Sequence, residues 1–530
     1  MTWSFTSVLK TLRSVVPESA PALIHGDHVR TWGEVHRRSD ALAGELRSRG
    51  VPRGAKVAHY MRNRPEYLET TLACFKAGLT PVNINYRYTA HELLHIFDNS
   101  DAAVIVYDGE FAGSVDHLRT RLTKVLVFIE VAAEPQNLVA HPYESFAHSA
   151  EAPPDDPGSE DDLVFIFTGG TTGLPKGVMW RQGDVWAALG SGAPAPGMPG
   201  PVDQQAFADL IRAGAGGQPV LVCPPLMHGA GYLIALSSLL RGGCVITIPG
   251  TGFDATAALN AITVHKPRIA VIVGDAFARP LAKALDASPG AYDLSSLMMV
   301  ISSGAVWSPD VKAAIGRHNP NMMLMDSLGS SEVLGMGASV TVGEAAANQP
   351  TRFMRDANTR VINDDGNDVA PGSGEIGRIH RGGPAPIGYY KDPEKSARTF
   401  VMIDGKRFVV PGDYATVEAD GAITLIGRGS QVINTGGEKV FVEEVEAALK
   451  SFPGIEDALV FATPDPKWGQ AVTAVVEAAE PVDHTAVQAH LRATLADFKT
   501  PKRIIQVARV PRGPNGKADY GAAQKLAASA

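Results

Sequence analysis

Between about residues 20 and 330, short apolar runs alternate with longer stretches in which apolar positions recur every three or four residues. The runs AKVAHYM (55–61), AAVIVYD (102–108), DLVFIFTGG (162–170), PVLVCPPL (219–226), GCVITIPG (243–250), RIAVIVGD (268–275) and LMMVISSG (297–304) predict strands. A strand with one wet face alternates apolar and polar residues. These runs hardly do, so they predict parallel-rich sheets covered on both faces. Stretches such as AHELLHIFDN (90–99) supply the crossover helices of an α/β domain. Phe5, Val8, Leu9, Leu12 and Val15 have helical spacing and predict a first packed helix.

Residues 190–217 interrupt the rhythm with a Gly-, Ala- and Pro-rich stretch, which predicts a surface excursion holding a short helix. It is either a mobile lid or a passive insertion. After about residue 350, Gly-rich turns and short strands dominate (PGSGEIGRIHRGG, GAITLIGRGS), predicting a β-rich subdomain. The last hundred or so residues read as a small α+β unit. It has helices at FVEEVEAALKSF and HTAVQAHLRATLAD and strands at DALVFATPD, AVTAVVEAA and RIIQVARV. The expected division is a large domain over 1–428 and a small one over 429–530.

The chain's 530 residues exceed what one core usually supports. With 45% apolar and 20% charged residues it is not a disordered chain, and its net charge of −8 argues against bulk nucleic-acid binding. No apolar run reaches the roughly 18–20 residues that cross a bilayer, though weak peripheral membrane contact stays open. Cys74, Cys223 and Cys244 are too few and too scattered for a disulfide framework or a zinc site. They fit a reducing, cytoplasmic compartment, with Cys223 and Cys244 expected as small buried hydrophobes.

The strongest chemical signal is Thr168-Gly169-Gly170-Thr171-Thr172-Gly173-Leu174-Pro175-Lys176-Gly177, directly after the apolar strand LVFIF. Glycines let backbone N–H groups approach a bulky anion. Three threonine hydroxyls add donors and Lys176 a movable positive charge, a set suited to a polyphosphate. The P-loop of NTPases is disfavoured, because there Gly-Lys precedes Ser or Thr and here Gly177 follows. A second pattern, Gly372, Gly374 and Gly377, precedes a strand rather than a helix and reads as a turn, not a dinucleotide site.

FTGGTTGLPKG resembles the phosphate-binding signature of the adenylate-forming superfamily, which contains acyl-CoA synthetases, peptide-synthetase adenylation domains and firefly luciferase. The usual form has Ser at Gly169. Further matches follow in the family's order over nearly the whole chain. Pro225-Leu226-Met227-His228 is similar to the motif bordering the acyl site, and Ser303-Gly304-Ala305 to the turn that carries adenine. Asp326-Ser327-Leu328-Gly329-Ser330-Ser331-Glu332 is similar to the stretch ending in Thr-Glu, without its usual aromatic, which Leu328 replaces. The resemblance implies that Glu332, with Thr171, holds Mg²⁺ and that Ser331 touches the α-phosphate. Asp413 would bind the ribose hydroxyls, suiting an acceptor-only carboxylate, and Arg428 the ribose or phosphate. The segment from Gly427 to Val440 resembles the hinge and CoA tunnel, with Ser430 at the hinge and Gly436, Gly437 and Lys439 lining the path. Lys517, after Pro514-Asn515-Gly516, is similar to the adenylation lysine.

These matches imply an ATP-dependent acyl-CoA ligase using ATP, Mg²⁺ and CoA, with Lys517, Thr171, Glu332 and His228 as the catalytic set. The small domain would turn about Ser430 between two half-reactions. The expected substrate is an apolar monocarboxylate, a medium- or long-chain fatty acid or a bulky steroid side-chain acid. The small residues of His228-Gly229-Ala230-Gly231 leave room for it, and no Arg or Lys is placed to grip a second carboxylate. The alternatives are an adenylation enzyme that loads a carrier protein, a luciferase-like oxygenase, and a non-catalytic nucleotide-binding relative. The absence of a fused carrier domain after Lys517 favours free CoA over the first. Retained Lys517, Glu332 and Asp413 argue against the last. A homodimer is carried only as family habit.

Overall fold

The computed structural model describes residues 3–132, 139–168, 175–194, 197–305, 307–343, 351–428, 432–435, 438–465, 469–495, 497–513 and 516–529. Two compact units emerge. The first comprises Met1–Gly335, Val340–Gln349 and Gly382–Val409; the second comprises Met336–Ser339, Pro350–Arg381 and Val410–Ala530.

The first unit has the expected α/β architecture. One sheet runs in the order Val333–Val342, Met323–Ser330, Met299–Ser303, Ile269–Ile272, Val220–Val222, Val245–Thr247, Pro21–His25, His28–Thr31. From Met323–Ser330 to Pro21–His25 it is parallel, and Pro21–His25 pairs antiparallel with His28–Thr31. A second sheet runs Gly388–Tyr389, Lys176–Arg181, Leu163–Thr168, Thr80–Asn83, Lys56–Tyr60, Ala102–Asp108, Val127–Val131, His141–Pro142. Its first three strands pair antiparallel and the rest parallel.

The continuous apolar runs have a physical reason. In the first sheet Val220 and Val222 enter one core cluster, while Leu221 between them enters another. In the second, Val104 and Val106 join that first cluster, while Ile105 and Tyr107 enter a third. Side chains alternate across a strand, so a strand with an apolar core on each side needs apolar residues at every position. Between the sheets lie the helices Trp32–Ser48 and Pro65–Lys76. Every residue of Pro65–Lys76 is buried, charged ones included. Glu69 survives there by pairing with Arg38 at 2.9 Å, and Lys76 with Asp40 at 2.6 Å; unpaired, each charge would be prohibitive to bury.

The helix at Ala90–Asn99 begins with a capping box between Thr89 and Glu92. The first helix spans Phe5–Val15, and the 190–217 excursion contains the helix Gln204–Arg212. The two are tied by Thr11 Oγ1 to Gln204 Oε1 at 2.6 Å, and Trp186 meets Phe207 edge-on. No helix among the described residues is long and apolar enough to cross a membrane. Cys74 and Cys244 are buried as small hydrophobes, whereas Cys223 is only partly buried.

In the second unit, Asp413–Val417 pairs antiparallel with Ile423–Arg428 and with the strand beginning at Gly377. Gly372 and Gly374 have φ of 76° and 73°, so the glycine pattern is a left-handed turn before a strand, as the sequence predicts. The last part is the expected α+β unit. Its sheet runs Glu438–Phe441, Val432–Thr435, Gly469–Glu477, Asp457–Asp465, with Arg503–Val507 parallel on Gly469–Glu477. Helices Val442–Lys450 and His484–Thr494 cover one face, and Tyr520–Ser529 the other.

Candidate active site

The phosphate-loop candidate begins where Leu163–Thr168 ends and returns into Lys176–Arg181. These strands form an antiparallel hairpin in which Thr168 lies opposite Lys176. The residues between, Gly169, Gly170, Thr171, Thr172 and Gly173 among them, lie outside the described residues. The hairpin therefore fixes both ends of the loop.

The outer strand of that hairpin recruits a partner that the sequence does not announce. Gly388–Tyr389 pairs with it, Tyr389 opposite Val178. The Tyr389 hydroxyl then donates to Glu332 Oε1 at 2.7 Å, and Trp180 Nε1 donates to the Ser331 carbonyl at 2.9 Å. Ser331 and Glu332 are thus held against the strand that starts with Lys176. Three residues beyond Tyr389, Asp392 forms an ion pair with Lys176. The same aspartate caps the helix Pro393–Thr399, accepting from the Lys395 N–H at 3.0 Å. The Lys176 contact holds its carboxyl below the usual carboxylate range. Lys395 sits 4.4 Å from the Tyr389 ring centre, and burial lowers its pKa while Glu332 opposes that effect.

The turn at 224–228 is gripped by two asparagines. Asn63 donates to the Pro224 carbonyl at 2.9 Å and accepts from the Leu226 N–H at 2.7 Å. Asn83, buried, accepts from the Phe167 N–H at 2.7 Å, donates to the Phe167 carbonyl at 3.2 Å and also bonds the Met227 carbonyl. One amide thus joins the strand entering the phosphate loop to the turn bearing His228. An amide can do this because it both donates and accepts. His228 is half-buried at the start of helix Gly229–Leu239. A Cβ on Gly229 would lie 3.9 Å from Ser331 Oγ, so the helix start faces the Ser331–Glu332 corner. A Cβ on Gly231 would meet the Pro224 and Pro225 carbonyls at 3.0 Å, so bulk is excluded there.

Gly304 and Ala305 follow the strand Met299–Ser303, and Gly304 has φ +87°, which favours glycine. Ser303 lies opposite Ser327 in parallel register, so this turn and the 326–332 stretch lie at the carboxyl ends of neighbouring parallel strands. That is where open α/β sheets bind ligands. Leu328, where an aromatic is usual, is buried.

In the second unit, antiparallel register places Asp413 opposite Arg428, two candidates fifteen positions apart. Gly427 beside them has φ +152°, and a Cβ there would come within 2.3 Å of Glu443 Oε2. Lys439 lies opposite Asn434 in the next hairpin; Gly436 and Gly437 lie outside the described residues. Lys517 follows a short turn in which the Gly513 N–H donates to the Lys517 carbonyl at 2.7 Å and the Gly516 N–H to the Gly513 carbonyl at 3.0 Å. Arg512 anchors this turn. Its guanidinium grips Asp457 at 2.5 and 2.7 Å and reaches the Gly516 carbonyl at 3.0 Å. Burial raises the Asp457 pKa, but the Arg512 pairing outweighs it and keeps the carboxyl below its usual range.

Among the described residues no three His, Cys, Asp or Glu side chains gather as a metal cage. A single carboxylate at Glu332 fits a Mg²⁺ held chiefly by substrate phosphates and water, which is how that ion is usually bound.

A family described as AMP-binding enzyme matches residues 13–390, and the AMP-binding enzyme C-terminal domain matches residues 444–517. The chain is 39% identical over 512 residues to a medium/long-chain-fatty-acid–CoA/3-oxocholest-4-en-26-oate–CoA ligase of Mycolicibacterium smegmatis, covering 94% of this chain and 92% of the relative. It is 39% identical over 521 residues to a 3-oxocholest-4-en-26-oate–CoA ligase of Rhodococcus rhodochrous, covering 96% and 92%. The anthranilate CoA ligase AuaEII in complex with anthranoyl-AMP has the same fold, at TM-score 0.82 and 20% identity over 100% of this chain and 98% of that one. The chain belongs to the AMP-binding enzyme family, in its acyl-CoA ligase branch.

Proposed function

We propose that this chain is an ATP-dependent ligase that activates an apolar monocarboxylate as its acyl-AMP, releases pyrophosphate, and passes the acyl group to CoA. The acid is a medium- or long-chain fatty acid or a bulky steroid side-chain acid, in line with the names of its relatives. The observation that carries the reading is the junction at Lys176, where the hairpin enclosing the Thr/Gly loop meets the Ser331–Glu332 corner.

No protein nucleophile is required, because the substrate carboxylate itself attacks the α-phosphorus. The barrier is repulsion between anions, about 1 kcal/mol per unit pair at 4 Å in water and about 4 kcal/mol in a partly excluded site. Cations placed in advance lower it. Lys176 and the loop donors orient the phosphates, Asp413 accepts from the ribose hydroxyls, and Lys517 contacts the carboxylate and the α-phosphate. Mg²⁺ held by Glu332 and Thr171 would neutralise the triphosphate. Small residues at Gly229 and Ala230 leave space for the acyl group beside His228, whereas Gly231 is packed against the Pro224 and Pro225 carbonyls. The proposed domain boundary is 428/429, with Ser430 as hinge, and Gly436, Gly437 and Lys439 line the CoA path in the second step. We place the enzyme in the cytoplasm, where ATP and CoA are supplied.

The test is incubation with ATP, Mg²⁺, CoA and a panel of short, long, aromatic and sterol-derived acids. The expected products are pyrophosphate, AMP and an acyl-CoA, with turnover highest on long or sterol-derived acids. ADP formation, or adenylation with no CoA-dependent turnover on any acid, would refute the proposal.

A further inference from the structure

Lys176, Asp392, Lys395, Tyr389 and Glu332 form one cluster at the edge of the second sheet. It holds two lysines and two carboxylates, with Arg398 acting on Lys395 as well, and within it Lys176 is paired with Asp392. That pairing conflicts with a polyphosphate site, because the cation offered to phosphate already has a counter-ion. The geometry shows how the conflict is resolved. Asp392 uses its two oxygens differently. Oδ1 accepts from the Lys395 N–H and caps the helix, whereas Oδ2 contacts Lys176. The carboxylate is therefore fixed by the backbone whether or not Lys176 is present. Lys176 is the movable member, a four-carbon stem whose side chain is 35% exposed. A pair this exposed is weak and readily exchanged.

We infer that Asp392 is the resting counter-ion of Lys176, which the triphosphate displaces, so that this aspartate limits nucleotide affinity and speeds pyrophosphate release. The inference rests on the reading of Lys176 as a phosphate-binding residue. Asp392 itself acts through Lys176 and touches no reacting atom.

Asp392→Asn separates charge from structure, because asparagine caps a helix as well as aspartate does. The expected result is a KM for MgATP about fivefold lower, with pyrophosphate inhibiting at correspondingly lower concentration and the melting temperature unchanged. In a Lys176→Gln background the same substitution should leave the KM for MgATP unmoved. A KM for MgATP that rises or stays the same in Asp392→Asn, or a drop that persists beside Lys176→Gln, overturns the inference. If Lys176→Gln alone changes neither the KM for MgATP nor pyrophosphate release, the assignment of Lys176 fails, and the inference with it. A raised KM in Lys176→Gln without the drop in Asp392→Asn defeats the inference alone.

Discussion

Arg512→Ala tests how the terminal lysine is held. In the structure Arg512 makes both oxygens of Asp457 its partners and spans to the Gly516 carbonyl, one residue before Lys517. Both side chains are largely buried, 22% and 19% exposed. Breaking a fully buried pair by removing one partner costs about 3–5 kcal/mol. Water reaches this pair in part, so about 2 kcal/mol is the reasonable loss here, with about 1 kcal/mol more from the Gly516 tie. Among the described residues the turn is also held by the Gly513 and Gly516 bonds, by the Asp519 N–H donating to the Pro511 carbonyl at 3.1 Å and by the bridge between Arg512 and Ala518, and its glycine at 516 has φ +71°. If about 2 kcal/mol of that loss appears as displacement of the turn, acyl-AMP formation should fall about 30-fold. The assay is acid-dependent exchange of labelled pyrophosphate into ATP, compared with thioester formation from supplied acyl-AMP, which should stay within about twofold. Arg512→Lys should recover only part of the loss, because an ammonium cannot grip both oxygens of Asp457. Equal decline of both half-reactions, or full pyrophosphate exchange in Arg512→Ala, would refute the reasoning.

Asn83→Ala removes an amide that joins Phe167 to Met227 and leaves those buried backbone groups short of partners. It should lower stability by about 2–3 kcal/mol and raise the KM for both ATP and acid, measured by thermal unfolding and steady-state kinetics. Glu446, buried beneath the Val460 N–H at 2.9 Å and the Tyr520 hydroxyl at 3.0 Å, has its pKa pushed up by burial to about 7. A carboxyl with a raised folded pKa favours the folded state below its ordinary value of 4.5, and that contribution is lost as pH climbs through about 7. Stability should therefore drop between about pH 4.5 and 7. Glu446→Gln, which keeps an acceptor oxygen, should flatten that part of the profile and be the more stable form at pH 8. An unchanged slope in urea titrations across that range would show that Glu446 is not the group responsible.

Much of the fold is legible in the residues themselves. The unbroken apolar strings became strands because each feeds two cores at once, as Val220, Leu221 and Val222 show. The turn at Gly372 and Gly374 is equally visible. The candidate site could be proposed from the sequence where it consists of contiguous motifs. Asp413 and Arg428 are named together on the family resemblance, and a hairpin sets them opposite each other. What escaped were residues whose role depends on long-range pairing. Tyr389 and Asp392 reach Glu332 and Lys176 only because a two-residue strand adds to the sheet edge, and no periodicity marks so short a strand. Asn63 and Asn83 act on carbonyls more than a hundred residues away, and a lone asparagine at a strand end reads as turn chemistry. Arg512 carries no motif in the sequence, and its partner Asp457 lies 55 residues away on the strand Asp457–Asp465.

If Lys517 supplies the cation that lets a carboxylate meet the α-phosphorus, the second half-reaction proceeds without it. The direct measurement is Lys517→Ala assayed separately in the two halves. Acyl-AMP formation from ATP and acid should fall by about 10²-fold or more, the loss of one preplaced charge at the reacting centre, while thioester formation from supplied acyl-AMP and CoA continues at close to the parent rate. Parallel loss in both halves, or undiminished acyl-AMP formation, would contradict the account.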